Sequence, residues 1–175
     1  MTGTTAWPRM DVAGWQDTRD TLHLWTQVVG KVRLALAPPV NHWWHVPLYV
    51  NSVGLTTSLM PAGGRGIEIT FDFLQHVLRI RTTDGVARDM ALESRSVADF
   101  YAELTSRLRG IGVQAAMHPA PVEVEESIPF AEDTIHATYE PDKAHAFFLS
   151  LIHSDRVLNR FRSGFTGKVS PVHFF

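Results

Sequence analysis

The sequence contains no cysteine, and this absence excludes disulfide bonds, zinc–cysteine sites and thiol nucleophiles. It also has no apolar run of the ~20 residues that a membrane-spanning helix requires, because runs such as residues 146–152 are far shorter. The first ten residues lack the charged start and the apolar core of a secretory signal. The default expectation is therefore a cytoplasmic protein with no membrane partner.

The chain also lacks a charge excess and the common nucleotide and hydrolase motifs. Its formal net charge of −2 argues against a nucleic-acid partner, because such proteins usually carry a strongly basic face. The sequence has no Gly-x-Ser-x-Gly elbow, no Walker-type phosphate loop and no dinucleotide fingerprint. We therefore expect no cofactor and no nucleic-acid partner.

The composition is that of a globular domain. Apolar residues make up 45% and charged residues 19% of the 175 residues, which is enough to form one hydrophobic core. Nine histidines and five tryptophans stand out, several of them adjacent in sequence. We expect a single α+β domain spanning residues 1–175, with a four- to five-stranded antiparallel β-meander covered by three amphipathic helices.

Apolar spacing and end signals predict the three helices. The first runs from about residue 17 to residue 36, and its buried stripe, with spacings of three, four and seven, comprises Trp15, Leu22, Trp25, Val29, Val32 and Leu36. Pro38 and Pro39 end it. The second is predicted to end at Gly110, with Ser96 and Asp99 as its N-cap pair, and the third is predicted over residues 141–162.

Residues 46–93 alternate apolar and polar side chains and therefore predict four strands. A two-residue turn at residues 51–52 is expected between the first two, and a flexible loop at residues 61–66. An Asp84-Gly85 turn is expected to bring Met90 opposite Ile80. A fifth strand is predicted at residues 113–117.

The hairpin in the middle of this region has the strongest prediction. Alternation in both of its strands places Phe71 opposite Leu78 on the inner face. The same register sets Glu68 opposite Arg81 on the outer face. Glu68 and Asp72 lie on the same face of their strand. Because both faces favour one register, which places arginines beside these two carboxylates, we expect cross-strand salt bridges there rather than an acid–base pair.

Three strings mark the chain: Trp15-x-x-Thr18-x-x-Thr21-Leu22-His23-x-Trp25-Thr26-Gln27, Asn41-His42-Trp43-Trp44 and Ser170-Pro171-Val172-His173-Phe174-Phe175. Together they resemble the signature of a bacterial family catalogued only as a domain of unknown function. The resemblance covers nearly the whole chain and implies one structural unit but no particular reaction. Members of that family run well beyond residue 175, so the resemblance implies an N-terminal portion or a shortened member.

The first candidate site is a polar stripe on the first predicted helix. His23, Gln27 and Lys31 follow one another at i, i+4 steps and should therefore share one helix face. Such a face can hold an anionic or carbonyl-bearing ligand, with His23 as the acid or base and Lys31 as the anion partner. A solvated face with a Gln–Lys pair explains the pattern equally simply.

The second candidate is the aromatic segment formed by His42, Trp43, Trp44 and Tyr49. Aromatic walls with a few polar groups are typical of a small-molecule pocket, although ordinary packing gives the same composition. The nearby prolines indicate an extended segment, in which His42 and His45 diverge and do not chelate a metal together. We therefore expect no metal ligands here.

These features lead to three hypotheses about function. The first is a small-molecule-binding domain, or a cofactor-free enzyme, with a site between the first helix and the sheet lined by both candidate groups. The second is a non-enzymatic module that buries its apolar C-terminal residues in a second copy or another partner, including a missing C-terminal half. The third is a histidine-ligated metal site.

Overall fold

A computed structural model describes residues 6–175 of the protein. The helices are Gln16–Leu36 (α1), Val97–Gly110 (α2) and Pro141–Arg162 (α3). The strands are Tyr49–Val50 (β1), Gly54–Thr56 (β2), Met60–Ala62 (β3), Arg65–Asp72 (β4), Val77–Thr82 (β5) and Ala87–Ala91 (β6). All strand pairs are antiparallel, in the order β1-β2-β4-β5-β6, and β3 also pairs with β4. The predicted α+β class is thus confirmed.

The three helices lie where the sequence predicts them. In α1, Leu22, Trp25, Val29 and Val32 are buried, whereas the end positions of the predicted stripe are only half-buried. The Ser96 hydroxyl accepts a hydrogen bond from the Asp99 amide (3.0 Å) and so caps α2 as predicted. Within the described part of the chain, no helix combines the length and hydropathy needed to cross a bilayer.

The β4–β5 hairpin has the predicted register. Phe71 lies opposite Leu78 and Glu68 lies opposite Arg81. The turn is fixed by the Asp72 carboxylate, which accepts hydrogen bonds from two turn amides and forms an ion pair with Arg79 (3.0 Å). The salt bridge of this hairpin therefore uses Asp72 and Arg79.

The β1–β2 register differs from the prediction by two residues. Val50 lies opposite Leu55 and not opposite Val53. The cause is the Asn51 side chain, whose oxygen accepts hydrogen bonds from the amides of Val53 and Gly54 (both 2.9 Å). The Asn51 amide also donates to the Gly54 carbonyl (3.0 Å), so the turn lies at residues 52–53, one position later than predicted. A slip of two keeps every side chain on its predicted face of the sheet.

The β5–β6 register is also two residues away from the prediction. Met90 lies opposite Leu78 and not opposite Ile80. The Thr82 amide donates to the Val86 carbonyl (3.0 Å), and the Thr82 hydroxyl accepts from the Val86 amide (3.0 Å). These two bonds close a shorter turn than the one predicted.

The predicted flexible loop at residues 61–66 is instead a tight hairpin. β3 and β4 pair up to Ala62 and Arg65, which leaves a two-residue turn of Gly63 and Gly64. Gly63 has a φ of +65°, which a glycine adopts without strain. Pro61 lies on the exposed edge of β3, where its missing N–H removes no interior ladder bond.

Two further predictions of extended structure are wrong. Residues 113–117 form no strand and belong to an irregular segment between α2 and α3. Residues 41–43 form a tight turn, in which His42 has a φ of 58°. The turn is held because the His45 ring accepts a hydrogen bond from the Val40 amide (3.1 Å) and the Trp43 carbonyl accepts one from the Val46 amide (2.9 Å).

We expect Gly54→Ala to lower the free energy of unfolding by roughly 3 kcal/mol or more. A Cβ at Gly54 would lie 1.9 Å from the carbonyl oxygen of Phe71, and that backbone is fixed in the β2–β4 ladder. Gly30→Ala in α1 is the control, because a Cβ there meets nothing within 4 Å; it should raise stability by about 0.5–1 kcal/mol. Urea denaturation measures both, and equal effects would contradict the close approach at Gly54.

Candidate functional site

A cleft of about 150 Å³ runs beside α1. One wall is the exposed face of the helix, and the other walls are supplied by segments distant in sequence. The helix contributes His23, Thr26, Gln27, Gly30, Lys31 and Leu34; the remaining lining residues are Val46, Pro47, Leu48, Val122, Glu123, Phe174 and Phe175. The structure therefore brings the predicted polar stripe together on one surface and faces it with apolar side chains.

Gln27 holds one wall of this cleft in place. Its side-chain N–H donates to the Val122 carbonyl (2.8 Å), and the Val122 amide donates to its side-chain oxygen (2.9 Å). The Gln27 amide thus pairs with Val122 in the way that a neighbouring strand would. Each such bond contributes about 1 kcal/mol net. Gln27 is therefore a structural clamp as well as a lining residue.

The clamp also orients His23. The Gln27 side-chain nitrogen lies 3.2 Å from Nε2 of His23. The Gln27 side-chain oxygen and one of its two N–H groups are both used by Val122. The other N–H of Gln27 is therefore directed at His23, and the Nε2 atom of His23 must accept it. A neutral His23 then carries its proton on Nδ1. This arrangement fixes the ring and leaves an N–H donor for another partner.

Lys31 supplies the positive charge of the cleft. It is half-buried, eight residues after His23 on the same helix face. Within residues 6–175 it takes part in no ion pair. Glu123 is the acidic residue of the lining, and it lies on the opposite wall beside Val122. The ammonium group is therefore available to an anion that enters the cleft.

The floor of the cleft depends on a bridge between two distant segments. The Leu48 amide donates to the Phe174 carbonyl (2.9 Å), and the Phe174 amide donates to the Leu48 carbonyl (2.8 Å). Sequence reasoning missed both residues as cleft walls. The signal in the sequence is the apolar string at residues 170–175, which by itself predicts only a surface for a partner.

A second, mostly apolar cleft of about 240 Å³ adjoins the first. The two share His23, Thr26 and Phe174, and the second extends along α1 towards Trp15 and Arg19. His23 therefore lies between the two spaces. The first cleft therefore places Lys31 and His23 beside apolar side chains.

The aromatic residues of the second candidate do not line this cleft, which corrects the prediction of one shared site. Trp43 is 62% exposed, and its ring stacks on His45. His42 and Trp44 border a separate pocket, whereas the Tyr49 hydroxyl donates to the Trp44 carbonyl (3.4 Å). The turn at residues 41–43 and the contact of the Tyr49 ring with Arg33 keep these side chains out of the cleft lining.

The geometry gives no support to a metal centre. Within residues 6–175, no group of three or more histidine, aspartate or glutamate side chains lies close enough to hold an ion. His45 is buried and uses its Nδ1 atom to accept from the Val40 amide. The Nδ1 atom of His76 lies 2.9 Å from the Tyr139 hydroxyl, and burial is the main cause of the lowered pKa of His76.

The comparisons with known proteins identify a family. A family model described as a family of unknown function, DUF5996, matches residues 7–175. The chain belongs to this family, which confirms the resemblance to a domain of unknown function. No curated protein and no solved structure matches the chain. The family description names no activity.

We expect Gln27→Leu to detach residue 122 from α1 while the sheet stays folded. The substitution removes both hydrogen bonds to Val122 and the contact with His23, so the Val122 amide should exchange with solvent about tenfold faster or more. Gln114→Leu, at an exposed position in the same irregular segment, is the control and should leave that exchange unchanged. Amide exchange followed by NMR measures both, and unchanged protection in Gln27→Leu would contradict the clamp.

Proposed function

We propose that this member of the DUF5996 family binds a small, largely apolar molecule with one anionic or carbonyl group in the cleft beside α1. The observation that carries the proposal is the opposition of a polar helix stripe and an apolar wall. Lys31 and His23 lie on one side, and residues including Leu48 and Phe174 lie on the other. Ligand pockets are typically apolar surfaces with a few oriented polar groups.

The size of the cleft limits the ligand. A volume of about 150 Å³ corresponds to roughly five water molecules, because each takes about 30 Å³ in the liquid. A short acyl chain or a single ring with one polar group fits such a space. An anion beside Lys31 would form a charge-assisted hydrogen bond, which is about twice as strong as a neutral one.

Each polar residue has a distinct role in this proposal. Lys31 anchors the anion, and the Nδ1–H of His23 donates to a ligand oxygen. Gln27 keeps His23 oriented and holds the wall at Val122. If the ligand is also a substrate, His23 is the acid or base, because its ring is positioned by a neighbouring group in the manner of an oriented general base.

Hexanoate and hexanol are suitable probes, because they share an alkyl chain and differ in charge. We expect hexanoate to bind with a Kd in the millimolar range, given the small number of atoms that the cleft accommodates. Lys31→Met should weaken hexanoate binding about tenfold, equivalent to about 1.4 kcal/mol, and leave hexanol binding unchanged. Isothermal titration calorimetry and NMR shift mapping measure affinity and location.

Arg88→Met is the matched control, because it removes one exposed positive charge from β6, which lies at the opposite end of the sheet order from β1 and is not part of the cleft lining. It should not alter either affinity. The proposal fails if hexanoate shifts no resonance of the cleft residues, or if Arg88→Met weakens binding as much as Lys31→Met does. His23→Ala adds a further test, since a large loss of stability without any loss of binding would place His23 in the structure and not in the site.

Self-association is a second candidate, supported by the exposed end of α3. Of the 22 residues of α3, Ala144 and Phe148 are buried, whereas Phe161 is 84% exposed. Large apolar surfaces of this kind often mark protein interfaces. Light scattering after size exclusion separates the candidates. A mass of 19.6 kDa favours ligand binding alone, whereas twice that mass, returning to 19.6 kDa in Phe161→Glu, favours assembly.

A further inference from the structure

The polar groups of the second cleft, of about 240 Å³, are already used by the protein. The Arg19 side chain forms an ion pair with Asp20 (2.8 Å). The Thr26 hydroxyl donates to the His23 carbonyl (2.7 Å), and Nε2 of His23 accepts from Gln27. Of the described side chains that line this cleft, His23 therefore keeps one free polar atom, the Nδ1–H at the border with the first cleft.

Aromatic and aliphatic side chains form the rest of this lining, namely Trp15, Leu22, Phe147 and Phe174. The ring centroids of Phe174 and Phe147 are 6.0 Å apart, and those of Phe147 and Trp15 are 5.3 Å apart. The three rings thus form a row that begins at Phe174, which also lines the first cleft. An apolar chain that lies along the row is removed from water on one side, which favours its binding.

The positive charge available to a ligand lies at one end of the two clefts. Lys31 lines the first cleft and not the second. Within residues 6–175 it takes part in no ion pair, in contrast to Arg19. The two clefts therefore follow α1 with a free cation towards one end and the row of rings towards the other. This polarity matches a molecule with one anionic head and one unbranched apolar tail.

We infer that the two clefts together bind a medium-chain alkanoate, with its carboxylate at Lys31 and its tail along the row of rings. The inference rests on the proposed function, from which it takes the anion site, and it adds the class and the direction of the ligand. An extended chain advances about 1.2 Å per bond, so the two steps from Phe174 to Trp15 take up about eight carbons of the tail. The preferred ligand has about ten to twelve carbons in total, which is longer than the first cleft alone accommodates.

Isothermal titration calorimetry with alkanoates from hexanoate to tetradecanoate, below their micellar concentrations, tests the path of the tail. We expect Kd to fall about two- to fourfold for each added methylene group up to decanoate, because each one covers more of the rings. From dodecanoate to tetradecanoate Kd should change little, since the added carbons extend beyond Trp15. A Kd that keeps falling to tetradecanoate indicates non-specific partition and overturns the inference.

The same titrations distinguish this inference from the proposed function. If hexanoate binds in a manner that depends on Lys31 but decanoate binds no more tightly, the inference fails and the proposed function stands. If no alkanoate of the series binds, both fail.

Phe147→Ala removes the middle ring of the row. It should weaken decanoate binding about tenfold and change hexanoate binding less than twofold, because the shorter tail covers less of the row. Phe161→Ala is the matched control, since it removes the same ring from an exposed position of α3 that lines neither cleft. It should alter neither affinity, and an equal loss of decanoate binding in both variants overturns the inference. Circular dichroism checks that both variants are folded.

The direction of the ligand is tested without removing a wall, by fluorescence quenching with two brominated decanoates. One carries bromine at the end of the tail, and the other carries it beside the carboxylate. We expect the tail-brominated compound to quench the Trp15 fluorescence of the unmodified protein, and this part of the quenching should be lost in Trp15→Phe, which keeps a ring at that position. The head-brominated compound should quench Trp15 little. Quenching by the tail bromine that Trp15→Phe leaves unchanged, or stronger quenching of Trp15 by the head bromine, overturns the inference.

Discussion

The structure depends on one aromatic stack that fixes the rotation of α1. The Trp25 ring lies between Phe100 of α2, with centroids 4.7 Å apart, and Tyr139, at 5.6 Å. Phe100 in turn stacks on Phe71 of β4 at 6.4 Å, so the stack joins the helix layer to the sheet. Trp25 is fully buried even though its indole nitrogen has no hydrogen-bond partner, so the packing of the ring offsets the loss of that bond.

Once Trp25 is fixed, the helical period sets the direction in which every other side chain of α1 points. His23, Gln27 and Lys31 are placed on the cleft side, while Arg33 is directed at the turn that carries Trp44. A single helix therefore supplies part of the core, the polar wall of the cleft and a buried cation that holds the His45 carbonyl. The residues of the core and those of the cleft are separated by rotation about the helix axis and not by distance along the chain.

The sequence predicts the helices and the central hairpin because their signals are local. Phe71 and Leu78 can be paired because alternation on both faces of the hairpin favours the same register. The neighbouring strand pairs give evidence for their register on one face only. A period of two cannot distinguish a register from one shifted by two residues. The side chains of Asn51 and Thr82 decide the shift, through hydrogen bonds to turn amides that composition alone does not reveal.

The same limit explains which part of the candidate site could be predicted. His23, Gln27 and Lys31 lie on one helix, so their common face follows from spacing. The opposite wall, including Val122 and Phe174, comes from segments that only tertiary contacts bring near α1. The prediction that the His42–Trp44 segment is extended is wrong for a related reason. The turn is closed by the side chain of His45, which lies outside the segment and accepts a hydrogen bond from the Val40 amide.

The bridge between Leu48 and Phe174 affects how readily the cleft opens in the native state. Two main-chain hydrogen bonds join segments that are more than a hundred residues apart, so the bridge carries the entropy of closing a long loop. It should therefore be among the last contacts to form in folding and among the first to open in the native state. A ligand that spans α1 and Phe174 would then act as a latch, since whatever binds the closed form alone shifts the population towards it.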